Sequence, residues 1–389
     1  MSITLNYATI FTPTETLRRN AIVVSNEGKI TYIGPMEDSP RTEGLQFDMR
    51  GRIVVPGFID VHVHGGHGVA FGVLDSLAED LAEYSNWVAQ NGVTGFLPSI
   101  AAPDADSLVK IIKAYADLFE KGVSGAEPLG MHLEGPFLSR EKKGAFNPTW
   151  LRDPVIEEAR SFLAAGRGWV RQMTLAPELP GANEVAGMFR KEGVVVAMGH
   201  TNAEFDVATA ALHSDFTHVT HTFNAQRGFH HREPGVFGAI MSSDEITAEL
   251  IADTIHVHPG AMKALTRCVG TDRVVLITDA IMGAGLPDGT YESVEFTVYI
   301  KDGRVTLEDG TLAGSSVLLN QCVKNMYAEV GISLPNAVKM ASLNPARAMG
   351  FAHRLGSLAE GKDASLTVID EDVNIYLTMV KGEIVYNNL

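Results

Sequence analysis

The chain has 389 residues, is 45% hydrophobic and carries a formal charge of −16 at pH 7. That length accommodates one large domain and a smaller one, and an acidic chain without basic runs argues against nucleic acid or an anionic membrane surface as partner. No apolar run reaches the ~18 residues of a membrane span, and Cys268 and Cys322 are too few and too isolated in context for a disulfide framework.

The N-terminal MSITLNYATIFTPTET lacks the basic region and apolar core of a signal peptide, so a cytoplasmic protein is expected. Up to residue 52 the chain alternates short strand-like runs with turns. Ala21–Val24, Asn26-Glu27-Gly28 and Lys29–Ile33 together read as a hairpin. Near the other end, Ala364–Ile369, Asn374–Met379 and Glu383–Tyr386 have the same character. Neither end is large enough to bury a core alone. Residues 1–52 and 357–389 are therefore expected to join as one small β-sandwich domain.

Between them, residues 53–356 follow another pattern. Strand-like runs end near Val61, Ile100, Leu133, Leu175, Met198, Thr220, Ile255 and Ile277. Leu74, Leu77, Leu81, Tyr84 and Val88 recur at helical spacing, as do Leu108, Ile111, Ile112, Tyr115 and Phe119, the latter set bounded by Pro103-Asp104 and Gly122. Gly and Pro interrupt the helical period after the fourth and sixth runs. Strands alternating with helices over this length predict an α/β fold, a (β/α)8 TIM barrel.

Polar residues stand at the ends of these runs: His62 and His64, Ser99, Glu134, Glu178, His200, His221, His256 and Asp279. Barrel enzymes assemble their sites at the C-terminal strand ends, from residues distant in sequence. In IVVPGFIDVHVH, His62 and His64 are two apart, so an extended strand aims both imidazoles the same way. With Glu134 of HLEGPF, His200, His221 and Asp279 of LITDA they form a set suited to Zn²⁺, Fe²⁺ or a similar divalent ion. Such an ion lowers the pKa of a water to about 7, and a carboxylate beside it can shuttle the proton. Asp279 fits that hydrolytic role, or else that of a ligand or helix cap alone. His218, three residues before His221, faces elsewhere and is read as packing or as a support behind the ligands, not as a ligand. Arg232 in HHREPG offers a planar fork for phosphate or carboxylate, with His256 as a second donor; a plain surface arginine is the alternative.

At these residues the chain resembles the amidohydrolase superfamily, and more closely its N-acetylglucosamine-6-phosphate deacetylases. The likeness covers nearly the full length: PGFIDVHVHG, HLEGPF, KKGAFNP, GHT, HTFNA, HREPG, the segment around His256, LITDA, LAGS, NPAR and GSLAEGKDASLTV. It implies a metal held by Glu134, His200 and His221, with Asp279 as catalytic acid/base. It further implies that Ala145, Asn224, Ala225, Arg232, His256 and the Leu312-Ala313-Gly314 loop contact a phosphorylated amino sugar. A homodimer is implied, in which Arg232 and His256 reach the neighbour's site, and the products would be glucosamine 6-phosphate and acetate.

Some relatives have lost the His-x-His pair. Its retention here as His62 and His64 makes one or two ions per subunit the expectation, Zn²⁺ first and Fe²⁺ or another divalent ion as alternatives, with Glu134 able to bridge two. Phe146 stands where the family usually has a histidine that helps polarise the acetamide carbonyl, and Gln226 is also unusual. These departures bear on the exact substrate. The galactosamine epimer, another N-acylated amine and a non-catalytic metal-binding relative are the competing readings, although the last predicts lost ligands and none is missing.

Overall fold

The computed structural model describes residues 1–292 and 297–389. Eight parallel strands form the barrel: Phe58–Val63, Val93–Ile100, Met131–Glu134, Val170–Leu175, Val195–Met198, His218–Val219, Thr247–Ile251 and Val274–Ile277. Their pairing follows sequence order from the first to the eighth. Backbone hydrogen bonds from Asp279 N–H to His62 O (2.9 Å) and from His64 N–H to Ala280 O (2.8 Å) join the eighth strand to the first. Below them Asp60 ties the same two strands, accepting from Thr278 Oγ1 at 2.6 Å. Burial pushes the Asp60 carboxyl up to about 7, against the opposing hydrogen bonds from Thr278 and the His62 N–H.

Alternation along the strands sorts the side chains into two sets. One set, with Phe58, Val93, Leu133, Met173, Val196 and Leu250, packs against the surrounding helices. The other set includes Ile59, Val61, Leu97, Val195, Val275 and Ile277, which pack with Met349, Phe351 and Leu355. His132, Gln172, Thr174, His218 and Glu249 lie on that second side and are completely buried, so a polar layer sits within the barrel beneath its C-terminal rim.

The expected helices form where their periodicity placed them. Leu77–Ala89 buries Leu77, Leu81, Tyr84 and Val88, but Leu74 precedes it and is exposed. Ala105–Lys121 buries all five predicted apolar positions; Asp104 caps it by accepting from Ser107 N–H, and Gly122 ends it with φ +81°. Where Gly and Pro interrupted the pattern, Ala182–Lys191 still forms and buries Val185, Ala186 and Phe189. After the sixth strand only the short Gly235–Met241 follows Pro234.

The chain ends share one eight-stranded sheet. Its long first strand, Ile3–Phe11, pairs with Leu45–Asp48 over its first half and with Ile53–Pro56 near its end, and the sheet encloses Leu5, Ile10, Ile22, Val54, Leu366 and Leu377. The hairpin Thr16–Val24 and Ile30–Pro35 turns at Gly28. Ile53–Pro56 also pairs with Leu366–Ile369, so this strand belongs with the terminal sheet. We propose Gly57, rather than the 52/53 boundary, as the junction between the two units. A Cβ at Gly57 would lie 2.1 Å from Thr94 Oγ1, so only glycine allows the chain to enter the barrel there.

Two departures from the sequence reading bear on the site. The seventh strand stops at Ile251, before Ile255, because Asp253 Oδ1 captures the N–H groups of Ile255 and His256 at 2.8 Å each and turns the backbone away from the sheet. A small antiparallel sheet of Gly289–Glu292, Thr297–Lys301 and Arg304–Thr306, which nothing in the periodicity announced, follows the eighth strand and leads into the Leu312–Gly314 loop. Among the described residues no helix is long and apolar enough to cross a membrane.

Candidate metal centre and active site

At the barrel rim the strand-end residues converge on one point. Glu134 Oε1 lies 3.2 Å from both His200 Nε2 and His221 Nε2, which are 3.0 Å from each other. Glu134 Oε2 faces the other way, 2.9 Å from His64 Nε2 and 3.4 Å from His62 Nε2. Asp279 Oδ1 completes this second group at 3.4 Å from both imidazoles. Two candidate ligand sets result, Glu134-His200-His221 and His62-His64-Asp279, with one carboxylate between them.

The donor chemistry fits cations. His200 Nδ1 meets Lys142 O at 2.8 Å, and His62 Nδ1 meets Glu249 Oε2 at 2.9 Å. Each ring therefore gives its Nδ1 hydrogen away and keeps a lone pair on Nε2, the atom aimed at the cluster. Ligands held ~2.0–2.1 Å from a tetrahedral ion stand ~3.3 Å apart, which is the spacing seen here. Lone pairs brought so close repel unless a positive charge lies between them.

The electrostatics carry the same sign. Burial disfavours charge on His64, but Asp279 and Glu134 outweigh it and lift the imidazole to about 9. Burial opposes charge on His62 too, yet Glu134, Glu249 and Asp279 raise it well above its ordinary value. The carboxylates respond in reverse. Burial would raise Glu134, but His62 and hydrogen bonds with His200 and His221 hold it well below the usual range, and His62 and His64 hold Asp279 low against its burial. The site recruits positive charge.

Local backbone geometry aims these groups. His200, His221 and Asp279 leave their strands with φ of +47°, +24° and +49°, a region non-glycine residues avoid. Such strain at three strand ends is typical of a functional constellation. Gly144 lies against the His200 ring, where an added Cβ would come within 3.0 Å of Cε1.

A cavity of about 390 Å³ opens over the cluster. His64, Glu134, His200, His221 and Asp279 form its floor; Ala145, Asn224, Ala225, His256, Leu312, Ala313 and Gly314 line it, as does Ser99. The structure thus gathers the sequence-predicted residues around this cavity except three, His62, Arg232 and Glu178. His62 lies just beneath, completely buried. Arg232 is exposed on its loop, beside His231 Nε2 at 2.8 Å, and is absent from the lining. His256 lines the cavity of its own chain, its Nδ1 held 2.6 Å from Asp253 Oδ2; the Asp253 turn directs it there. Glu178 is not part of the cavity and bonds to Thr201 and Asn202 N–H.

Phe146 lines the cavity with its ring edge-on to His200, centroids 5.1 Å apart, and presents no donor. Gln226 faces inward, donating to Thr220 O at 2.9 Å, so it shapes the turn after His221. Glu249 escaped the sequence reading. A lone carboxylate inside the apolar run TAELIA was the signal available.

An intramolecular set of imidazoles and carboxylates at the C-terminal mouth of a (β/α)8 barrel defines a metal-dependent hydrolase centre. A sequence model of the amidohydrolase family matches residues 53–385, and the chain belongs to that family, as a hydrolase acting on an amide. It is similar to the N-acetylglucosamine-6-phosphate deacetylase of Vibrio furnissii, 38% identical over 86% of this chain and 83% of that protein. It is also similar to the N-acetylgalactosamine-6-phosphate deacetylase of Escherichia coli O157:H7, 36% identical over 85% and 87% of the two chains. The crystal structure of the N-acetylglucosamine-6-phosphate deacetylase from Pasteurella multocida superposes with a TM-score of 0.92 at 33% identity, covering 99% of both chains.

Proposed function

We propose that this chain hydrolyses the acetamide of N-acetyl-D-glucosamine 6-phosphate, releasing acetate and D-glucosamine 6-phosphate. The observation that carries the reading is Glu134, with one oxygen on His200 and His221 and the other on His62 and His64, beneath a cavity of sugar size. A divalent ion at Glu134, His200 and His221, Zn²⁺ in the first instance and Fe²⁺ as the alternative, supplies a Lewis acid and lowers the pKa of water to about 7. His62, His64 and Asp279, with the second oxygen of Glu134, offer a place for a second ion.

Asp279 does the proton work. As a carboxylate at the rim, it takes a proton from the attacking water while the water oxygen bonds to the carbonyl carbon. It returns that proton to the amide nitrogen as the C–N bond breaks, and the amine leaves. Asn224, the Ala225 backbone and the Leu312–Gly314 loop orient the sugar, and Ala145 bounds the same space. Phe146 presents no donor to the carbonyl, so its position supplies no polarisation of the acetamide.

The phosphate needs positive charge, and among the described residues neither Lys nor Arg lines the cavity of a single chain. His256 supplies one donor. The exposed Arg232 supplies another if a second copy presents it, and this supports a homodimer. Mixed dimers test that reading: one subunit carrying Asp279→Asn and the other Arg232→Ala should regain turnover that neither variant has alone. No recovery removes the cross-subunit role.

The primary test is acetate release by metal-replete enzyme from a panel of N-acetyl amino sugars with and without the 6-phosphate. Equal turnover with and without phosphate refutes the phosphate site, and no acetate from any sugar refutes the reaction. Phe146 in the cavity favours including the galactosamine epimer, the substrate in the name of the E. coli relative; a higher kcat/KM for it than for the glucosamine form would replace the substrate assignment.

A further inference from the structure

Glu249 sits in the seventh strand, completely buried, and lines no part of the cavity. Its oxygens nevertheless take four hydrogen bonds. Oε2 accepts from His62 Nδ1 at 2.9 Å and from the His221 backbone N–H at 3.0 Å. Oε1 accepts from Gln172 Nε2 at 2.7 Å and from His218 Nε2 at 3.1 Å. Two oxygens of an ionised carboxylate provide about four lone-pair sites, so its acceptor capacity is full.

We propose that Glu249 is the positioning residue of the metal centre, one oxygen setting both ligand groups at once. The inference rests on the metal centre proposed above. Because His62 Nδ1 gives its hydrogen to Glu249, the lone pair is left on Nε2, which stands 3.3 Å from His64 Nε2 and 3.4 Å from Glu134 Oε2. The bond to the His221 N–H acts on the other group. It anchors the backbone at a residue whose φ of +24° is strained, and so fixes where the His221 ring points.

The geometry also says why the residue is a glutamate. Glutamine of the same size can keep an oxygen on His62 and the His221 N–H only by turning its NH₂ toward Gln172 and His218, which must then flip or change tautomer to accept from it. Aspartate keeps the acceptors but is one methylene short of them. Hydrogen bonds to the far nitrogen of a metal-binding histidine are worth about 10–100-fold in metal affinity.

The experiment is Zn²⁺ binding to metal-stripped protein, with ions per subunit and dissociation constants from equilibrium dialysis and elemental analysis. Glu249→Met, which removes both acceptor oxygens at similar size, should bind Zn²⁺ about 10–100-fold more weakly. Gln172→Met removes a donor from the same carboxylate but leaves the bonds to His62 and His221, and should bind within a few-fold of the unaltered protein. If Glu249→Met does not fold, Glu249→Asp, which keeps the charge and withdraws the oxygens, should still bind at least about tenfold more weakly. Unaltered affinity in a folded Glu249 variant overturns the proposal. So does an equal loss in Gln172→Met, which would mark a general packing role. Zn²⁺ binding needs no sugar, so failure of the unaltered enzyme to release acetate would sink the reaction and leave this inference standing. Failure to bind Zn²⁺ at all would sink both.

Discussion

Glu134 Oε2 and His64 Nε2 are 2.9 Å apart, while the other oxygen of that carboxylate lies 3.2 Å from His200 and His221. One side chain thus serves both ligand groups, and removing it has a different consequence from removing a ligand of either group alone. Glu134→Gln is expected to empty both ion positions. His64→Asn should lower metal content at one position and leave Glu134, His200 and His221 to hold the other. Elemental analysis of the purified variants reads this directly, and equal metal loss in the two would contradict a shared carboxylate.

Asp279 touches His62 and His64 but stands outside the Glu134-His200-His221 group. Replacing it with asparagine keeps the shape and removes the proton acceptor. We expect kcat to fall about 10²–10⁴-fold with at least the ion at Glu134, His200 and His221 retained. Unchanged turnover takes Asp279 out of the mechanism.

Metal removal should destabilise as well as inactivate. The clustered lone pairs and carboxylates are arranged for positive charge, so an ion bound only by the folded state adds stability of about 2.7 kcal/mol at a free concentration of 100 Kd. Thermal denaturation in chelator and then in excess Zn²⁺ checks this: the midpoint should rise on reloading, and the rise should vanish in Glu134→Gln.

Acid should loosen the seam between the terminal sheet and the barrel. Burial pushes the Asp363 carboxyl up, but hydrogen bonds from Lys29 (2.5 Å) and Arg354 (3.0 Å) outweigh it, leaving its pKa below 3.8. A carboxyl depressed in the fold contributes stability that is present above its unfolded pKa and is lost as pH falls through the folded value. Asp363→Asn should therefore lower stability at pH 7 and flatten its decline below about pH 4. A variant with the same acid profile as the unaltered chain would discount this pair.

The helix Ala182–Lys191 holds by burial, since Gly and Pro flank it. Phe189 is completely buried within the main core. Phe189→Ala should cost about 3–5 kcal/mol, seen as a lower denaturation midpoint, while the metal content of the folded protein is unchanged.

Much of this was legible beforehand. The strand-end residues could be listed from the sequence because strands are short apolar runs and a polar residue that ends one is conspicuous. The 105–121 helix was readable from five apolar positions and its flanking Asp104 and Gly122. Other features were not. Glu249 sits inside an apolar strand, and only the closed barrel reveals that it meets four residues from three other strands or their ends. Leu74 matched the helical period yet stays exposed before the helix, since periodicity does not say where a helix begins.

By itself the sequence determined the alternation of strands and helices, the terminal sheet and the list of candidate ligands, since these follow from side-chain period and from residue chemistry. Tertiary structure alone decided that one carboxylate faces two groups, that His256 faces its own cavity while Arg232 faces solvent, and that Glu249 bonds to both His62 and the His221 N–H. The physical reason is closure. Distances of about 3 Å between residues scores of positions apart are set by how the eighth strand meets the first, and no local pattern encodes them.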